Sequence, residues 1–224
     1  VSGTASFTYA NRGTGKGWTD WQHNIEQQSG FVSDQFSLAR KIGMTLHREL
    51  KGNIQFTGHS LGGGLASLQT LATGAHAITF NAEGISSGTL DYYKVDAQNA
   101  NKIAAFYVDG EVLSGLQDNI LFDGIAGVLG TLPKNGVAAG NAMMDFVRGR
   151  DVNTSSFGLG AVAEALGHRV ETPAVDLNGD SMGWWARKKS TVALHGMDYA
   201  VNSVKSLFNN GKLGNDYLQH ISAY

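Results

Sequence analysis

The sequence predicts an α/β fold in which a mostly parallel sheet is flanked by helices, and three observations carry this expectation. Apolar strand-like segments at 54–58, 76–82 and 102–108 alternate with other segments over short connections, the pattern of parallel strands joined by crossover helices. The stretch "QFSLARKIGMTLHREL" (35–50) sets Phe36, Ala39, Ile42, Gly43, Leu46 and Leu50 at three- and four-residue spacings, the single apolar stripe of a helix packed on one side. Finally, Gly62, Gly63 and Gly64 stand where an apolar strand gives way to an apolar helix. Glycine weakens a helix, so its use there marks close backbone approach or unusual dihedrals.

Taken in order, "ASFTYA" (5–10) reads as a short buried strand that "NRGTGKG" breaks, and "WTDWQHNIEQQ" (18–28) as a loop entering a short helix. The helix at 35–50 ends at "KGN", "IQFTG" (54–58) is a strand, and the helix at 63–74 closes on Gly74. Strands follow at 76–82 and 102–108. From 113 to 166 β-branched runs become rare, and helices are expected near 116–130, 136–148 and 157–166. This region reads as a helical insertion or lid, with Leu116, Ile120, Leu121, Phe122, Ile125, Val128 and Leu129 suiting either core packing or substrate contact. "HRVETPAV" (168–175) follows, and a last helix at 196–208 is expected to turn Met197, Ala200, Val201, Val204 and Leu207 to one side. With 224 residues, 42% of them hydrophobic, the chain 1–224 is expected to form one domain around a large core.

Composition removes several classes of function. The net charge is −2 and no Lys/Arg cluster stands out, so no nucleic-acid partner is expected, because phosphate binding needs a basic stripe. Cysteine is absent, which excludes thiolate nucleophiles, disulfides and cysteine metal sites. No apolar run reaches the length of a membrane span. The opening "VSGTASFTYANRGTG" lacks signal-peptide character and an initial Met, and the expectation is a piece of something longer, or a processed or engineered product. The 30 glycines keep no fixed period, which argues against collagen or a solenoid. "DLNGD" (176–180) starts like a calcium loop but has Ser181 and Arg187 where glycine and an acid belong, so a polar turn is expected. Trp184 and Trp185 beside "ARKK" suit either a lipid headgroup surface or a surface loop with one indole turned inward.

"GHSLG" (58–62) fits G-x-S-x-G, a sharp strand-to-helix turn that lifts a serine hydroxyl out of a sheet. The following helix aims its free N–H groups and positive end at charge developing beside Ser60. Serine needs a general base, and chains with this elbow order the three members Ser, acid, His. Of the histidines after Ser60, His76 precedes any acid candidate and His220 lies near the end of this sequence. His195, between "TVAL" and a helix, is favoured, and His168 is its competitor. The acid belongs near the end of the 102–108 strand, where both Asp109 and Glu111 stand; spacing does not choose between them. Leu61, the residue after the nucleophile, offers one backbone N–H to an oxyanion, and Thr14 in the glycine-rich turn after the first strand offers the second.

Together "NRGT" (11–14), "DW" (20–21), "GHSLGG" (58–63), the acid at 109–111 and "LHGMDY" (194–199) resemble the class 3 lipases, the fungal-lipase-like branch of the α/β-hydrolases. "ALGHRVETP" (165–173) also resembles a segment of that family, and the resemblance spans most of 7–205. It implies a carboxylic ester hydrolase with Ser60 as nucleophile, His195 as base and Thr14 as the oxyanion residue. The family's acid pattern fits "EVLS" if Glu111 replaces Asp, whereas Asp109 keeps the residue type but is displaced. Implied substrates are triacylglycerols, phospholipids or other acyl esters, with no cofactor and no metal. Asn11 before the RGT and "NAEG" after the strand at 76–82 depart from the family pattern. Compact domains of this kind also resemble terminal modules of bacterial secreted toxins, which implies a chain secreted or delivered to another cell, transient membrane-surface contact and a neutralising immunity protein as partner. A hydrolase-like binding module without activity, or an acyltransferase on the same scaffold, are the alternative readings.

Overall fold

Among the described residues, five strands lie side by side in chain order, all parallel. The computed structural model describes residues 6–13, 34–85, 87–111 and 165–209, and every statement below concerns these. The strands are β1 (Phe7–Asn11), β2 (Ile54–His59), β3 (His76–Phe80), β4 (Ile103–Val108) and β5 (His168–Thr172). The helices are α1 (Asp34–Glu49), α2 (Leu61–Thr73), α3 (Ser87–Tyr93), α4 (Trp184–Lys189), α5 (Thr191–Leu194) and α6 (Met197–Asn209), with a 3-10 turn at Ala97–Lys102. The predicted α/β class and parallel sheet are what the chain adopts. The expected helices within 113–164, the segment 18–28 and Thr14 lie outside the described residues.

A sheet wound in chain order has a physical consequence. Right-handed crossovers that always step in the same direction carry their helices over the same face. Accordingly Leu46 of α1, with Leu50 just past its end, packs against a core cluster in which Ala66 of α2 joins Ile54, Phe56, Ala77, Ile103 and Ala105. On β2, Ile54, Phe56 and Gly58 are buried while Gln55, Thr57 and His59 are half-buried, the period-two alternation of one covered and one more open face. The second face is served by α6 against β4 and β5, where Val108, Leu194 and Ala200 pack together.

Helix α1 buries Phe36, Ala39 and Gly43, part of the stripe read from its spacing. Gly43 lets α1 approach α2 closely, since a Cβ there would stand 2.7 Å from Gln69 Cγ. The fully buried Gln69 is satisfied by donating to the Ala39 carbonyl at 3.0 Å and accepting from Asn11 Nδ2 at 2.7 Å, so its burial leaves no polar atom stranded.

Four expectations need correction. Strand β1 ends the row of described strands and is exposed or half-buried throughout, with Phe7 45% exposed, where a buried strand was expected. Helix α2 begins at Leu61, not at residue 63, so all three glycines are helical and buried. Helix α6 buries Ala200, Ser203 and Leu207, while Met197 and Val201 are exposed. Helices α3, α4 and α5 went unread because segments this short hold too few turns for a period to show.

Candidate active site

Ser60 sits between β2 and α2 with φ 56° and ψ −127°, a left-handed backbone that a side-chain-bearing residue holds only when its surroundings force it. The surroundings are backbone. The Ser60 N–H donates to Phe80 O at 3.1 Å, and its carbonyl accepts from Gly63 N at 2.9 Å and Glu83 N at 3.0 Å. Two glycines make the reversal possible by absence of bulk: a Cβ on Gly58 would fall 2.0 Å from Gly62 O, and one on Gly62 would fall 2.4 Å from Asn11 O. Gly63 lies against Ala82, where a Cβ would come within 2.6 Å. The run of glycines is thus required because α2 is wedged between β1, β2 and the segment after β3.

Nε2 of His195 lies 2.9 Å from Ser60 Oγ, and its Nδ1 lies 2.7 Å from Glu111 Oε2. All three residues are buried, Glu111 fully. A buried carboxylate is costly unless paired, and the imidazole at hydrogen-bond distance answers that cost. Leu61, as the first residue of α2, has an N–H with no intrahelical acceptor, beside Ser60. Thr14 lies outside the described residues.

The two acid candidates part company at Gly110. In an extended strand residues 109 and 111 would share a face, but Gly110 has φ 79°. Asp109 N donates to Thr172 O at 2.9 Å and Glu111 N to Val108 O at 3.0 Å, closing a turn that sends Glu111 inward. Asp109 instead forms an ion pair with Arg187 of α4. His168 pairs in register with Ala104, and His76 with Gln55, which places both histidines near the strand ends remote from Ser60. His220 lies outside the described residues.

Two residues that the sequence reading left without a role meet His195 from behind. The backbone carbonyl of His195 accepts from His59 Nε2 at 2.6 Å and from Asn81 Nδ2 at 3.0 Å. Asn81 is fully buried; its Nδ2 also donates to Leu194 O at 3.2 Å, and its Oδ1 accepts from Val108 N at 3.0 Å. One side chain therefore joins the end of β3 to β4 and to the histidine loop. Burial, with the neighbouring His195, pushes the His59 pKa down to about 4, so its ring is neutral at pH 7 and Nε2 carries the donated proton. The signals were a histidine inside the elbow motif and a polar residue ending an apolar strand. Close by, burial pushes Glu83 up to about 7.

Among the described residues no three His, Asp or Glu side chains gather as they would around a metal ion. The "DLNGD" segment is a polar turn in which Asp176 Oδ1 accepts from the amides of Asn178 at 2.8 Å and Asp180 at 2.9 Å. A groove of about 750 Å³ bordered by Gln55, His76, Lys102 and His168 opens at the opposite end of the sheet from Ser60. None of the described helices is long and apolar enough to cross a membrane.

Comparison with known proteins adds two findings. A family model described as "Phospholipase-like: Tle-like phospholipase domain" matches residues 1–173. The chain is also similar to the extracellular phospholipase A1 of Serratia liquefaciens, 39% identical over 87 residues, which are 39% of this chain and 27% of that protein. The aligned part is thus well under half of that relative's length.

Proposed function

Because the chain belongs to the Tle-like phospholipase domain family, we propose that it hydrolyses acyl ester bonds of membrane glycerolipids, phospholipids foremost, through an acyl-enzyme on Ser60. The observation that carries this reading is the unbroken hydrogen-bond chain Ser60 Oγ, His195, Glu111.

The chemistry follows from the contacts. His195 Nε2 takes the Ser60 proton as Oγ attacks the ester carbonyl, and Glu111 holds the Nδ1–H and stabilises the imidazolium. The oxyanion is met by the Leu61 N–H at the positive end of α2 and by Thr14 as second donor. His195 then protonates the departing alcohol, and the acyl group stays on Ser60. Water enters, loses its proton to His195 and releases the fatty acid. The sequence features shared with class 3 lipases support this scheme, and the relative described as extracellular supports action outside the producing cell, where a neutralising protein partner is the corresponding expectation.

A fluorophosphonate probe at neutral pH tests the reading together with mass spectrometry of products from mixed phosphatidylcholine and triacylglycerol vesicles. Covalent label on Ser60 and release of fatty acid with lysophospholipid are expected. An intact fold that takes no label would overturn it in favour of a binding module, and acyl groups appearing on an added alcohol instead of water would favour acyl transfer.

A further inference from the structure

We infer that α4 is a docking element for anionic lipid surfaces, carried on the segment that is fastened to the Glu111 turn and leads to His195. The inference deepens the phospholipase reading and rests on it.

The first observation is exposure. Trp184 and Trp185 are 55% and 69% solvent-exposed, and their rings meet edge to face at 4.4 Å between centroids. Two neighbouring indoles in water are costly to hydrate, and indole favours the headgroup level of a bilayer. The second is charge. Trp185 and Lys189 stand four residues apart on α4, hence on one helical face, and Lys189 is exposed. An ammonium beside an interfacial indole is drawn to the negative potential of an anionic leaflet. That pairing, indole with cation and without a neighbouring carboxylate on α4, selects a lipid phosphate surface over a neutral protein face.

The third observation is position. Arg187 of the same helix pairs with Asp109, two residues before Glu111, and its Cβ would lie 3.7 Å from a Cβ on Gly110. Downstream, Leu194 N donates to Ser190 O at 2.8 Å, so α4 runs through α5 to His195 with one residue between the helices. The helix that presents the indoles is therefore fastened to the turn bearing Glu111 and leads directly to His195. A lipid surface at α4 is brought to the reacting groups without a long tether.

The test uses Ser60→Ala protein, so that binding is read without turnover, and vesicles of phosphatidylglycerol and phosphatidylcholine in equal parts. Flotation should show binding that disappears on phosphatidylcholine alone and falls about tenfold or more with Trp185→Ala combined with Lys189→Glu, since the pair removes an interfacial indole and reverses a charge that the anionic surface attracts. In otherwise wild-type protein the same pair of changes should slow hydrolysis of those vesicles and leave hydrolysis of a short, monomeric acyl ester unchanged. Equal vesicle binding with and without the two changes overturns the inference. So does self-association that the changes abolish while neither protein floats with vesicles, which would make α4 a protein-docking face. Loss of short-ester hydrolysis on Ser60→Ala reports on the catalytic reading separately, so the two can fail independently.

Discussion

His59 Nε2 lies 2.6 Å from the backbone carbonyl of His195, so one histidine of the elbow holds the loop that carries the other. Removing a buried donor of this kind typically costs about 1–3 kcal/mol. His59→Phe should therefore lower kcat by roughly tenfold or more with little change in KM, and His59→Gln, which restores an amide donor, should recover part of it. The unfolded chain protonates His59 near its ordinary 6.5 and the folded chain only near 4. Stability owed to the neutral ring is therefore full above pH 6.5, declines as pH falls toward 4 and then levels. Thermal melts of wild type and His59→Gln across that window should converge as the pH drops.

Ser60 carries a side chain at φ 56°, and a residue held so is strained by about 1–3 kcal/mol. Ser60→Ala and Ser60→Gly both remove the hydroxyl and should both abolish turnover and fluorophosphonate labelling. Only glycine relieves the backbone. Ser60→Gly should melt above Ser60→Ala; equal melting temperatures would show that the elbow stores no strain.

Glu111 touches His195, and Asp109 touches Arg187. Glu111→Gln should cost on the order of 10³–10⁴ in kcat, the scale on which loss of the orienting carboxylate acts in serine hydrolases. Asp109→Asn should cost far less, its effect confined to the seating of α4. Steady-state kinetics of the two variants side by side decide the assignment, and similar mild losses from both would exclude each as the acid.

Glu83 is half-exposed as a residue, yet burial of its carboxyl group raises its pKa from 4.5 to about 7. The unfolded chain loses this proton first, so folding stability falls as pH rises from 4.5 to 7. Glu83→Gln removes that dependence. Its melting temperature should exceed that of wild type at pH 8 and approach it at pH 4.5.

The sheet was legible because strands of five or six residues alternated with apolar helices in one direction. The strand-to-helix turn at Ser60 was legible because Gly58, Ser60 and Gly62 must occur together for a strand to reverse into a helix. What spacing hid is set by single dihedrals and long-range contacts. Gly110 at φ 79° breaks strand alternation, and nothing in "VDGEV" says which carboxylate turns inward. Asn81 was noted only as a departure from a family pattern, because its partners Val108, Leu194 and His195 come from two other segments, β4 and the histidine loop. Met197 and Val201 looked like core from their spacing, yet the sheet receives α6 by Ala200 and Ser203, one turn-face away.

The hydroxyl and the imidazole that meet at Ser60 are 135 residues apart in the chain, and the sheet between them is laid down strand after strand in order of translation. A ribosome therefore delivers Ser60 early and His195 late, after the five described strands have emerged. On the proposed mechanism, a nascent chain that stops short of residue 195 carries the serine without the imidazole that would take its proton, and so would lack the means to attack an ester.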